Sequence, residues 1–239
     1  MASGQTITRS ARHILKQVQP RLWQIIFPFP APTNCWLFKE DDGLTLVDAG
    51  HWWSGPIILD AAACIGQPIK RIVITHAHPD HAGAAGAVAA ASGAVVLAHQ
   101  DEAPFLTGQR SMAQEEGYWL SRAVLSSAKM VGVLDSPPID PVLPVLHGDM
   151  IENLQVIHTP GHTPGSISLW SEKEKAIFCG DNLIYSFRLL RVGLPWFTLD
   201  HSRQNSSLRE YAERPARLLL SGHGPVFEGD VAAAVRRLL

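Results

Sequence analysis

Thr75-His76-Ala77-His78-Pro79-Asp80-His81 is the stretch on which the reading of this chain turns, because it carries four potential metal ligands within six residues. In an extended segment alternate side chains share a side, so His76 and His78 point the same way. Asp80 and His81 follow at once, where a strand would hand over to a turn. One ion cannot comfortably use all four groups, since the short spacing sends them in diverging directions. The pattern predicts two neighbouring ions, which is a catalytic arrangement.

Working outward, the apolar and β-branched run Ile69–Ile74 reads as a buried strand that delivers the chain into this cluster. Upstream, Thr33–Lys39 and Leu44–Val47 read as strands joined by the acidic turn Glu40-Asp41-Asp42-Gly43, after a segment that Pro28, Pro30 and Pro32 keep extended. A helix is predicted over Pro56–Ile65. Another follows over Ala84–Ala91, and then a strand over Ala94–Leu97. From about 104 to 144 the texture changes to a helical pattern and then a Pro-rich stretch, which predicts a helical insertion lying over the core. Beyond it, strands are predicted over Met150–Ile157, Ser166–Trp170, Lys175–Cys179 and Arg217–Leu220, with helices near Arg203–Glu213 and Asp230–Leu239. Strands alternating with helices in this way predict an α/β fold, here a single domain over 1–239.

The chain is 46% apolar and 18% charged, the composition of a globular protein with a substantial core. Its net charge of −2 offers no basic surplus for a phosphate backbone, so nucleic acid is not an expected partner. Cys35, Cys64 and Cys179 are far apart and form no C-x-x-C, which predicts buried free thiols rather than disulfides or a thiolate zinc site. The small-residue run Ala82–Ala98 is too short and too weakly hydrophobic to span a bilayer, and Met1–Arg12 lacks the apolar core of a secretory signal. A cytoplasmic protein without membrane contact is expected; the oligomeric state is open.

Three more motifs place metal-binding side chains just after strands. His158-Thr159-Pro160-Gly161-His162-Thr163-Pro164-Gly165 is a stiff Pro/Gly loop with an imidazole at its tip. Gly180-Asp181 follows the third of the later strands, and Ser221-Gly222-His223-Gly224-Pro225 follows the fourth. Open α/β sheets gather their sites at such strand ends.

H-x-H-x-D-H, a later G-H, then G-D and a final G-H, in that order, resemble the metallo-β-lactamase-fold hydrolase superfamily over roughly Asn34 to Val226. The resemblance implies an αβ/βα four-layer sandwich, with two mixed sheets face to face and helices outside. It also implies that His76, His78 and His162 hold one ion, that Asp80, His81 and His223 hold a second, and that Asp181 bridges them. Asp48 reads either as an acceptor for a ligand's ring N–H or as a cap for the following helix. His158 is not among the ligands that the resemblance implies. His51 reads as a loop residue or a visitor to the cleft, and His13, His99, His147 and His201 as structural or surface.

Imidazole and carboxylate ligands without thiolate suit borderline divalent ions, zinc first, with iron, manganese or cobalt also admitted. Two such ions with a bridging hydroxide can attack a carbonyl while polarising its oxygen. Asp80 is placed both to ligate and to pass a proton to the leaving group. The expected function is therefore hydrolysis of a small-molecule carbonyl ester or lactone, with a glyoxalase-II-like thioesterase as the alternative. Asp181 stands where the zinc β-lactamases closest to the namesake carry Cys, which counts against antibiotic hydrolysis. The chain stops soon after Pro225, without the helical extension by which glyoxalase II enzymes grip glutathione. Mononuclear iron persulfide dioxygenases usually lose the second site, whose residues are present here. Tyr185 resembles the substrate-binding Tyr of the acyl-homoserine lactonases, though one residue further from the bridging Asp. Phe105, Leu106, Tyr118, Trp119, Leu120 and Val124, with Trp52 and Trp53, are expected either to wall an apolar pocket or simply to hold the insertion on the core.

Overall fold

The computed structural model describes residues 6–9, 13–28, 32–115 and 136–239. Two sheets stack face to face. The larger has eight strands in sequential order: β1 (Thr6–Arg9), β2 (Ile14–Gln19), β3 (Leu22–Phe27), β4 (Thr33–Lys39), β5 (Leu44–Val47), β6 (Ile69–Val73), β7 (Val95–His99) and β8 (Val142–Val145). The pairings from β1 to β5 are antiparallel, and β5 to β8 run parallel through helical crossovers. The second sheet comprises β9 (Met150–Ile151), β10 (Leu154–His158), β11 (Ile167–Ser171), β12 (Ala176–Gly180), β15 (Leu218–Ser221) and β16 (Phe227–Glu228). Between its fourth and fifth strands a separate hairpin intervenes, β13 (Leu183–Ser186) with β14 (Leu189–Val192).

Strand periodicity explains the layering. Alternate residues of one strand serve different cores: Trp36 and Phe38 face the space between the sheets, while Cys35 and Leu37 face helices. In the second sheet Phe178, Leu218 and Leu220 face inward, and Ile177, Cys179 and Leu219 face the other helical layer. Both faces of these strands are buried, which is why they read as unbroken apolar runs. Phe178 anchors the inter-sheet core, meeting Trp36 and Phe38 edge to face at centroid distances of 6.2 and 6.1 Å. Such contacts add about 0.5–1.5 kcal/mol each beyond the area they bury.

Helices α1 (Gly55–Ile65), α2 (Pro79–Ala82), α3 (Ala85–Ser92) and α4 (Ala103–Leu106) belong to the side of the first sheet. Across the molecule, α5 (His201–Ala212) and α6 (Val231–Arg236) cover the second. Asp200 and Asp230 cap α5 and α6 by accepting from Arg203 N and Ala233 N, at 2.9 and 2.8 Å. This is the αβ/βα sandwich that the sequence predicts. No helix among the described residues is long and apolar enough to cross a membrane.

Three expectations change. The region 104–144 does not simply lie over the core: Phe105, Leu106, Met112 and Ile139 are part of it, and the Pro-rich end supplies strand β8. Met150–Ile157 is a hairpin rather than one strand, turned at Glu152, whose φ is 52°. Cys35 and Cys179 are buried as expected, but Cys64 is exposed on α1. Of the helical pattern expected over Gln109–Val133, the described part forms only the short 3-10 turn Met112–Gln114, and the rest lies outside the described residues.

Candidate metal centre

Every motif side chain comes from just beyond the C-terminal end of a strand. Asp48 follows β5, His76 to His81 follow β6, His162 follows β10, Asp181 follows β12 and His223 follows β15. β5 and β6 are parallel, as are β12 and β15. β10 runs with β12, because both are antiparallel to β11. The ends therefore gather along one edge of the sandwich. There Ile167 N donates to Thr75 O at 3.0 Å and Asn34 N to Gly222 O at 2.7 Å, tying one sheet to the other. Asn34 Nδ2 also donates to Ser221 O and Gly224 O, at 3.0 and 2.7 Å, and so grips the loop that carries His223. Gly222 is required by crowding: a Cβ there would collide with the His81 ring and with Asp181 Oδ1.

Seven side chains converge at this edge. His78 Nδ1 and His162 Nε2 are 3.1 Å apart, and the His76 ring lies 4.6 and 4.7 Å from the rings of His78 and His162. On the other side, Asp80 Oδ2 is 3.7 Å from His81 Nε2 and 3.4 Å from His223 Nε2. Asp181 stands between the groups. Its Oδ1 is 3.4 Å from His81 Nε2, and its Oδ2 is 3.1 Å from His223 Nε2 and 3.7 Å from His162 Nε2.

In four of the five histidines the nitrogen facing away from the centre is held by another group. His76 Nδ1 meets Thr75 Oγ1 at 3.0 Å, His162 Nδ1 meets Thr198 Oγ1 at 3.2 Å, His81 Nδ1 meets Asp48 Oδ2 at 2.8 Å, and His223 Nδ1 meets Pro32 O. With those nitrogens engaged, the opposite ones point inward. Among the described residues, His76 Nε2, His81 Nε2 and Asp181 Oδ1 are buried with no hydrogen-bond partner. Leaving such atoms unpaired costs about 1–3 kcal/mol each. Three orphaned donor atoms converging on one space fit a dinuclear metal site.

Electrostatics divide the cluster. Burial depresses the imidazoles of His78 and His162 to about 4 and about 3, and that of His76 well below the ordinary value. Burial also acts against protonation of His81, but Asp181, Asp80 and Asp48 outweigh it and lift His81 to about 10. His223 is lifted in the same way to about 9, chiefly by Asp181. Burial would raise the Asp181 carboxyl, but His223 and His81 hold it well below the usual carboxylate range.

Of the residues singled out in the sequence, Asp48 proves to be an acceptor rather than a helix cap. Its Oδ1 takes Thr75 N and its Oδ2 takes Thr75 Oγ1 and His81 Nδ1, all at 2.8 Å, while its backbone holds φ 58°. Helix α1 starts instead at Ser54. His158 stays outside the cluster: its Nε2 faces Pro164 O at 3.1 Å, and its ring stacks on His99 at 3.9 Å, 11° from parallel. Rings so stacked cannot aim in-plane lone pairs at one point. His51 stacks on Trp53. Tyr185 sets its ring edge-on to Phe227, 5.2 Å away, with its backbone carbonyl against Gly224.

Of the two readings of the apolar residues, packing on the core holds for Phe105 and Leu106, while Trp52 is exposed. Phe105 and Leu106 are buried in the core, Trp53 packs on Phe27 and His51, and Tyr118, Trp119, Leu120 and Val124 lie outside the described residues. The ring that does approach the cluster is Phe197, 6.4 Å from His78 and 38% exposed, beside the exposed Leu194 and Trp196. Sequence reasoning also missed Thr198 and Glu102. Glu102 is fully buried and accepts from Ala77 N at 2.7 Å, Gly165 N at 2.9 Å and Thr163 Oγ1 at 3.0 Å. Burial pushes its carboxyl up to about 7 against the pull of those three donors. Its position three residues beyond an apolar strand, like that of the other site residues, is the signal that could have found it.

Comparison with known proteins agrees with this geometry. The profile of the metallo-β-lactamase superfamily matches residues 28–223. Bacillus subtilis YobT, an uncharacterized protein, is 32% identical over 67% of this chain and 66% of its own length. The probable metallo-hydrolase YybB of the same organism is 27% identical over 88% of this chain and 90% of its own. A hydroxyacylglutathione hydrolase of Rhodospirillum rubrum is 29% identical over 70% of this chain, which spans only 52% of that enzyme. Among solved structures, TTHA1623 in a di-iron-bound form superposes with a TM-score of 0.67 at 26% identity, over 88% of this chain and 96% of that one. With the motif order, the sandwich and the converging donor atoms all in agreement, the chain belongs to the metallo-β-lactamase superfamily.

Proposed function

We propose that this chain is a dinuclear metal-dependent hydrolase of small carbonyl esters, with a lactone or another ester bearing an apolar acyl group as its leading substrate. The observation that carries the proposal is the convergence of His76 Nε2, His81 Nε2 and Asp181 Oδ1, buried and otherwise unpartnered. His76, His78 and His162 would hold one ion, and Asp80, His81 and His223 the other. Asp181 would be shared by both ions, since its Oδ2 lies near His162 of the first set and His223 of the second and its Oδ1 near His81. Divalent ions held this way supply a Lewis acid and an activated water at neutral pH.

The chain's own groups do the rest. Thr75, Thr198, Asp48 and the Pro32 carbonyl fix ring orientation, so the imidazoles need not reorganise during turnover. Asp80 is a quarter exposed and accepts from Thr33 Oγ1 at 3.5 Å; as a carboxylate it would take the proton released by the attacking water and pass it to the departing alkoxide. Tyr185 is the proposed hydrogen-bond donor to the substrate, from the strand that leaves Asp181. Phe197 favours an apolar acyl group, because its exposed ring faces His78 rather than the core.

A thioester is the second reading, favoured by the likeness to the Rhodospirillum rubrum enzyme. Proton release in a pH-stat by zinc-loaded protein, offered a long-chain N-acyl homoserine lactone and separately S-lactoylglutathione, tests both. Faster metal-dependent release from the lactone supports the leading proposal, and faster release from the thioester replaces it.

A further inference from the structure

Glu102 caps the N-terminus of α4 by position, yet its carboxylate makes no bond to that helix. It reaches instead between the two loops that carry the three-histidine half of the centre. Oε1 accepts the peptide N–H of Ala77, the residue between His76 and His78, and Oε2 accepts from Thr163 and Gly165, which follow His162. These loops leave different sheets, β6 in one and β10 in the other. We infer that Glu102 is a positioning residue that sets the separation of His76 and His78 from His162, and so the fit of the first ion alone.

Three further observations carry the inference. The Glu102 side chain is fully buried, so its hydrogen bonds have no competing water. Gly165 is pressed against it: a Cβ there would lie 2.5 Å from Glu102 N and 2.7 Å from Oε2, so the loop is shaped to this carboxylate. The Ala77 peptide links the two ligands in the loop beyond β6, so its displacement would move His76 and His78 relative to His162. His81, on the same segment as Ala77, has Asp48 as its direct partner and His223 has Pro32 O, and Glu102 bonds to neither of these two side chains. The inference rests on the metal-centre assignment proposed above, not on the substrate.

Glutamine at this position keeps the shape but sets an amide N–H₂ against a backbone N–H on one of the two sides. The test is metal binding, measured by chelator competition and by the visible spectrum of cobalt(II)-substituted protein. His162→Ala and His223→Ala serve as references for loss of each ion. Glu102→Gln is expected to weaken one ion about 10–100-fold, with the spectrum of His162→Ala, and to leave the other within about threefold. Glu102→Asp, too short to span both loops, is expected to behave alike. If Glu102→Gln does not fold, Thr163→Val, which removes one of the three bonds, should weaken the same ion about 3–10-fold. Unchanged affinity at both sites, or equal loss at both, overturns the inference. Wild-type protein binding fewer than two ions would fail the metal-centre assignment itself, before any variant is compared.

Discussion

His78 and His162 stand 3.1 Å apart with their imidazoles depressed to about 4 and 3, whereas His81 and His223, a few ångströms away, are lifted to about 10 and 9. The residue type is the same and the burial similar for His78, His162 and His81. What differs is the balance: burial prevails at His78 and His162, whereas Asp181, Asp80 and Asp48 outweigh it at His81 and Asp181 does so at His223. The first half therefore offers bare lone pairs at neutral pH. The second holds protons that an ion must displace. The two sites should load by different rules even though they share Asp181.

The largest test of this contrast removes the shared group. Asp181→Ala should abolish hydrolysis and weaken both ions, read by metal analysis after dialysis; full turnover would refute the bridging role. Next comes pH. Because His81 and His223 keep their protons in the ion-free site up to about 10 and 9, an ion entering there releases about two protons at neutral pH, and acid opposes it. Affinity for the second ion should therefore rise about a hundredfold per pH unit between 7 and 8, while the first stays nearly flat. Parallel pH slopes for the two ions would erase the contrast.

A smaller effect is expected from Asp48→Asn, which puts an amide where His81 Nδ1 needs an acceptor. It should weaken the second ion about 10–100-fold and, through Thr75, which Asp48 also holds beside His76, the first by less. Smallest is His158→Ala: the stack on His99 is lost, but titration should still find two ions. Loss of one would show that the wrong histidine of the His158–His162 loop was chosen.

Much of this was legible in the chain. Lys175–Cys179 and Arg217–Leu220 read as strands because both their faces are buried and so uniformly apolar. The histidines and aspartates stood out because their donor types cluster at strand ends. Strand β8 was hidden by its prolines, which an edge strand tolerates, and the β13–β14 hairpin by its exposed apolar residues Phe187 and Leu189. Phe105 and Leu106 read equally as pocket walls or core, because composition cannot tell an apolar side chain facing a cleft from one facing the core. Glu102 and Thr198 escaped for another reason. Their roles depend on a loop about 60 residues away for one and about 36 for the other, and no local pattern encodes that.

The centre takes its parts from both sheets: His76, His78, Asp80 and His81 from the first, and His162, Asp181 and His223 from the second. Neither sheet alone holds a full set of donors for either ion. An ion therefore cannot template the early chain; it can only be captured once the sheets have docked. On the proposed assignment, metal uptake would follow assembly and report on it: only chains whose two sheets have docked could hold both ions.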